Sequence, residues 1–209
     1  MLIIGAKGFA KEILQIFKQL NKLSDLFFFD NVTADLPDKL YDQFKILKDF
    51  DQVQGLFTNT DNRFVLGVGD PKTRFNMVQK FDSLGGKLTT LISPKTDIGC
   101  FNTRIGTGST LMTGVVITND IMIGEGCLIN LNCTIGHDVE IGRYTELSPG
   151  VHVSGNCNIG EFCTLGTGCV ILPKVKIGNN VVVGAGAVVV DSVADGQIVV
   201  GVPARPIRQ

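Results

Sequence analysis

The sequence predicts a small α/β domain followed by a parallel β-helix. From Ile105 to Val189 every sixth residue is aliphatic, fifteen positions without a slip. A strict period of six fits neither a 3.6-residue helix nor a hairpin sheet; it marks hexapeptide coils. The slot two residues before each anchor is also small or apolar, from Thr103 and Ser109 through Cys127, Cys133, Cys157, Cys163 and Cys169 to Ala187. Positions i−2 and i lie on one side of a strand, so both columns face the inside. Before residue 90 the rhythm changes to apolar runs alternating with amphipathic stretches, which reads as a small parallel, Rossmann-like sheet.

The first half divides as follows. Leu2-Ile-Ile4 is a short buried strand, and a glycine turn, Gly5 to Ala10, leads into an amphipathic helix through Ile13, Leu14, Ile16, Phe17 and Leu20. Leu26 to Phe29 is a second strand, ending at Asp30-Asn31, and Arg63 to Val68 is a third. Asp70 fits an N-cap and Pro71 the first helical turn, while Gly85-Gly86 suits the stop of that helix. The turn holding Gly5 and Gly8 puts backbone amides at a helix N-terminus, a ready anion site. As a dinucleotide fingerprint it is incomplete, because Gly-x-x-Gly-x-Ala lacks the middle glycine. A lone phosphate group therefore suits the turn better than a dinucleotide. Asp30 could bind ribose or base, or be a solvated turn acid.

Residues 1–88 form this domain, residues 89–195 the coil and residues 196–209 a tail on the last coil. Ile92 and Ile98 already keep the six-residue spacing, then one extra residue precedes Ile105. Beyond it no loop interrupts the coil, so anything bound beside it must be held by another part of the chain, for which the N-terminal domain is the candidate. Three hexads per turn make a triangular prism of about five coils, on the order of 25 Å tall.

Composition narrows the partners. With 19 basic and 20 acidic residues the net charge is −1, which gives nucleic acid no electrostatic footprint. No apolar run approaches the roughly 20 residues of a membrane span, and the start lacks a signal peptide's basic region; a cytoplasmic protein is expected. Five of the six cysteines occupy the inward slot as fillers, and no Cys-x-x-Cys pair suggests a metal. The two histidines, His137 and His152, are one short of a three-histidine zinc site.

Chemistry concentrates at His137. It follows the anchor Ile135 by two residues, so it sits at a prism corner outside the core. A lone corner histidine is ordinarily surface. Here Asp138 is adjacent, and a carboxylate fixes an imidazole tautomer. The eighteen-residue period also stacks Asn119, His137, Gly155, Pro173 and Asp191, leaving Gly155 about 5 Å above His137. A base beside an exposed glycine amide suits acyl transfer: one removes a proton, the other stabilises an oxyanion. His152 points outward from a flat face and reads as a surface or subunit contact. Lys174, Lys176 and Arg205 read as solvated charges, with CoA phosphates as the functional alternative.

The segments Gly5-Ala-Lys-Gly-Phe-Ala-Lys-Glu12, Phe28-Phe-Asp-Asn31, Gly67-Val-Gly-Asp-Pro-Lys-Thr-Arg74, Ile135-Gly-His-Asp-Val-Glu-Ile-Gly142 and Gly201-Val-Pro-Ala-Arg205 run in a familiar order. Together they resemble the NeuD/PglD-type sugar acyltransferases, which include sialic acid O-acetyltransferases and nucleotide-aminosugar N-acetyltransferases. The resemblance implies a left-handed coil and a homotrimer with active sites between subunits. It implies His137 as general base, Asp138 as its acidic partner and the Gly155 amide at the thioester carbonyl. Acetyl-CoA would lie near Glu146, Gly155, Thr167 and Ala185. A UDP-, dTDP- or GDP-linked 4-amino sugar would sit at Lys7, Gly8, Phe9, Asp30, Asn31 and Gly69. Glu146 stands where the aminosugar enzymes often carry histidine, Phe9 replaces a common histidine, and Lys7 replaces a small residue. N-acetylation of the activated aminosugar is the expected reaction; O-acetylation of a sugar such as sialic acid, and a non-catalytic trimeric scaffold, are the rivals.

Overall fold

A computed structural model describes residues 1–207; the part of the expected tail at 208–209 lies outside the described residues. The N-terminal sheet contains β1 (Leu2–Ile4), β2 (Phe27–Phe29), β3 (Lys39–Leu40), β4 (Phe44–Leu47), β5 (Arg63–Leu66) and β6 (Lys87–Leu88), in the order β3-β4-β2-β1-β5-β6. Only the β3–β4 pair is antiparallel. Around it lie α1 (Gly8–Gln19), α2 (Phe50–Asn59) and α3 (Pro71–Ser83). The expected caps of α3 are present: Asp70 accepts from the Thr73 N–H at 2.7 Å, and the Gly86 N–H reaches back to the Phe81 carbonyl at 2.9 Å. Residues 39–59, which carried no element in the sequence reading, supply β3, β4 and α2. Their signal was present, because Asp49 caps α2 by accepting from the Gln52 N–H at 2.8 Å, and Val53, Leu56 and Phe57 are its buried side.

The chain leaves β1 toward β2 and β4, then returns through α2 to β5 on the other side of β1. Such a reversal opens a crevice at the carboxyl ends of β1 and β5. Two glycines let the backbones meet there. A Cβ on Gly5 would lie 2.9 Å from the Gly67 carbonyl oxygen, and one on Gly67 would lie 2.7 Å from the Ile4 oxygen.

From Leu91 the chain winds into three parallel sheets. Face 1 begins with Leu91–Ile92 and Thr110–Leu111, face 2 with Asp97–Ile98 and Val116–Ile117, and face 3 with Arg104–Ile105 and Ile121–Ile123. Successive rungs pair eighteen residues apart, as Thr110 with Leu128 and Thr134 with His152. In the first coil Leu91 pairs with Thr110 and Asp97 with Val116, an offset of nineteen that absorbs the extra residue before Ile105. At the top, Ile198–Val200 adds a rung to face 1 and Arg205–Pro206 folds back on it antiparallel.

Both predicted inward columns form the core. The five inward cysteines are buried free thiols, whereas Cys100 is exposed. Burial pushes the Cys127 and Cys169 thiols up to about 12 and Cys133 to about 11, so they serve as fillers. The inward hydroxyls are satisfied: Ser109 donates to the Gly124 carbonyl at 2.9 Å and Thr145 to the Gly160 carbonyl at 2.8 Å.

The N-terminal domain docks on face 1. Ile13, Ile16 and Phe17 of α1 share one apolar cluster with Leu91, Met112 and Leu128. Gln19 donates to the Thr113 hydroxyl at 2.9 Å and accepts from Ser93 at 2.7 Å. From α3, Phe75 packs edge-on against Tyr144 and Phe162. Among the described residues no helix is long and apolar enough to cross a membrane.

Candidate active site

His137 and Asp138 form the turn between Thr134–Ile135 on face 2 and Val139–Ile141 on face 3. Asp138 takes a left-handed conformation, φ 57°, which the corner demands and which aspartate tolerates. Neighbouring coils hold the turn, as the Asn156 N–H donates to the His137 carbonyl at 2.9 Å. The imidazole Nδ1 lies 2.7 Å from Asp138 Oδ2. That contact places the proton on Nδ1 and leaves the Nε2 lone pair free. Nε2 faces Gly155: a Cβ there would lie 2.6 Å from it. Among the described residues, no acceptor meets the Gly155 N–H. His137, Asp138 and Gly155 therefore come together as expected, with His137 65 % exposed. A groove of about 360 Å³, lined by Arg104, Asp120, Met122 and Glu140, runs beside Asp138 on face 3.

The residues expected around acetyl-CoA divide. Thr167 and Ala185 are exposed and stacked at the corner between faces 1 and 2, where the Gly186 N–H donates to the Thr167 carbonyl at 2.8 Å. Glu146 stands on face 1 itself, against the N-terminal domain: both carboxylate oxygens lie 3.6 Å from where a Gly69 Cβ would be. It thus joins the residues expected around the sugar. The cause is the docking of the domain, which the coil's periodicity does not encode.

Lys7, Gly8, Asp30, Asn31 and Gly69 gather at the carboxyl ends of β1, β2 and β5. The N-terminus of α1 carries no side-chain cap and no acid in its first turn, so its amides stay open to an anion. Asp30 builds its own turn: Oδ1 accepts from the Thr33 N–H at 2.9 Å and Oδ2 from the Thr33 hydroxyl at 3.1 Å. Phe9 is half-buried and packs with the α1–face 1 cluster. A cavity of about 740 Å³ lies at the opposite, amino ends of β1, β2 and β5, lined by Met1, Leu26, Arg63 and Leu91, and contains none of these residues.

Arg74, on α3, ties this crevice to the coil. Its side chain is 2 % exposed. It donates to the Gly126 carbonyl at 3.1 Å, to the Tyr144 carbonyl at 2.6 Å and to the Gly69 carbonyl. One guanidinium thus fixes the Gly69 loop to two turns of the coil; only its burial, invisible in sequence, distinguishes it from a solvated helix arginine.

Residues 1–81 match the PglD N-terminal domain, and residues 120–155 and 156–191 match the bacterial transferase hexapeptide family (six repeats). The chain thus joins a PglD N-terminal domain to transferase hexapeptide repeats, the combination of the NeuD/PglD-like sugar acyltransferases, with which its structural neighbours are consistent. Among solved structures of this kind, a variant of perosamine N-acetyltransferase from Caulobacter crescentus, in complex with CoA and GDP-perosamine, is 28 % identical. It superposes with a TM-score of 0.91 over 100 % of this chain and 96 % of that one. The acetyltransferase domain of PglB from Neisseria gonorrhoeae, in complex with acetyl coenzyme A, is 29 % identical, with a TM-score of 0.88 over 99 % and 98 %. WeeI from Acinetobacter baumannii has the same identity, TM-score and coverage. No curated protein matches by sequence alone.

Proposed function

We propose that the protein is an acetyl-CoA-dependent N-acetyltransferase acting on the amino group of a nucleotide-activated 4-amino-deoxysugar. The observation that carries the reading is the His137–Asp138 pair at 2.7 Å, with its free Nε2 facing Gly155. His137 Nε2 removes a proton from the sugar ammonium, and the nitrogen lone pair attacks the thioester carbonyl carbon. The Gly155 N–H stabilises the oxyanion; on collapse the C–S bond breaks, the attacking nitrogen gives up its second proton to become the amide, and the departing thiolate takes up a proton to leave as CoA thiol. Attack is direct, because the coil's inward thiols are buried and held protonated. The solved relatives with CoA and GDP-perosamine support this substrate pair.

The same geometry supports sites shared between subunits, as in the homotrimer the resemblance implies. The domain that would hold the sugar docks on face 1, whereas His137 occupies the corner between faces 2 and 3, across the prism. An acceptor held at Gly69 meets a His137 corner only from a neighbouring copy. The test is release of CoA thiol from acetyl-CoA with a panel of UDP-, dTDP- and GDP-linked 4-amino sugars and free sialic acid. Turnover with an aminosugar that is abolished in His137→Ala is expected. Turnover confined to sialic acid would move the reaction to O-acetylation, and near-native turnover in His137→Ala would remove the base.

A further inference from the structure

The outward column of face 1 runs Thr110, Leu128, Glu146, Thr164 and Val182. Docking of the N-terminal domain buries Thr110 and Leu128. Glu146 is the next rung up and remains 16 % exposed. A carboxylate so withdrawn from water requires hydrogen-bond donors. Its own surroundings supply few. Arg74 comes within 3.9 Å, beyond hydrogen-bond reach, and its Nη1, Nε and Nη2 each donate instead to a carbonyl, of Gly69, Gly126 and Tyr144. Ser148 Oγ is 3.4 Å away, a weak contact. Burial accordingly pushes the Glu146 carboxyl up, with Arg74 opposing. The carboxylate lies against Gly69, both oxygens 3.6 Å from where a Cβ there would be, beside the strand-end crevice.

We propose that Glu146 receives the amine of the acceptor sugar and selects an amino acceptor over a hydroxyl one. The inference rests on the functional reading above. A sugar extending from a nucleotide at the crevice reaches the Glu146 carboxylate alongside Gly69. An ammonium there supplies both the missing donors and the opposite charge, whereas a hydroxyl supplies a single donor and no charge. The carboxylate accepts N–H bonds from the ammonium and from the free amine alike, so the nitrogen stays in place while its proton leaves for His137 of a neighbouring copy. Glu146 exchanges no proton in this scheme; it binds and discriminates.

The experiment is titration calorimetry of the full chain, without acetyl-CoA, using GDP-perosamine and UDP- and dTDP-linked 4-amino sugars, each against its 4-hydroxy counterpart. Wild-type protein is expected to bind its amino ligand about tenfold or more tighter than the hydroxyl analogue. Glu146→Gln, nearly isosteric, should bring the two within about twofold, raise the acceptor KM by about tenfold and leave the acetyl-CoA KM unchanged. Glu146→Asp, which keeps the charge on a shorter stem, should retain part of the preference, and thermal melts establish that both variants fold. An undiminished preference in Glu146→Gln overturns the proposal, as does no preference in the wild type, or a rise in acetyl-CoA KM in place of the acceptor KM. A wild type that neither binds nor turns over any member of the panel overturns the functional reading itself, and this proposal with it.

Discussion

Gly155→Ala probes the base more cleanly than removing it. The new methyl carbon would stand 2.6 Å from His137 Nε2, where ordinary contact begins at 3.4 Å. The imidazole must therefore retreat by about 0.8 Å or swing aside. It can do so cheaply, since its side chain is exposed and its one partner, Asp138, moves on the same turn. A misplacement near 1 Å costs on the order of a hundredfold in rate, about 2.7 kcal/mol of barrier. The backbone pays little, because Gly155 is not among the glycines with positive φ. Replacing glycine at a compatible φ is neutral or stabilises by up to about 1 kcal/mol. The expected result is kcat down about a hundredfold in the CoA-release assay, with a Tm equal to or up to about 3 °C above wild type. Turnover within threefold of wild type would refute the placement of Nε2 against Gly155. A Tm fall of many degrees would show that the methyl disrupts the coil rather than the base.

Other outcomes follow from the same contacts. Asp138→Asn removes the charge that fixes the imidazole tautomer and supports the imidazolium, so kcat should fall about a hundredfold or more with acceptor binding retained in calorimetry. Arg74→Lys replaces a fork that reaches three carbonyls with a single ammonium, and the melting temperature should drop by several degrees. Glu146 carries a pH signature. Its folded pKa is raised, so the folded state binds the proton more tightly, and the stability this confers at low pH is lost as pH rises through the folded value. Glu146→Gln should therefore raise Tm, relative to wild type, more at pH 7 than at pH 4 in calorimetric scans.

The coil was legible almost to the residue because its arithmetic is rigid. A period of six assigns each side chain to inside or outside, and a period of eighteen assigns it to a face, so the stack of Asn119, His137 and Gly155 could be read directly. The same arithmetic located the first-coil insertion as an offset of nineteen. It failed where a second body intervenes. Glu146 has the same outward register as Thr164, yet only Glu146 meets Gly69, because docking of α1 and α3 on face 1 depends on apolar side chains that carry no period in common with the coil. Within the N-terminal domain, β4 and α2 went unread between Lys39 and Asn59, where two charged surface stretches mask short apolar runs. Arg74 was invisible for a related reason: burial of a charge is a property of the assembled interface.

The rung pairing has a mechanical consequence. Each coil is bonded only to the one above and the one below, so the prism behaves as a one-dimensional stack whose ends open before its middle. Face 2 has six strands, and the one leading to His137 is third from the base; the next leads to Gly155. The terminal rungs can fray and re-form while the spacing between Nε2 and the Gly155 backbone is held by closed coils on both sides. Amide exchange should record this as slow protection around residues 134–156 and faster exchange toward both ends of the stack.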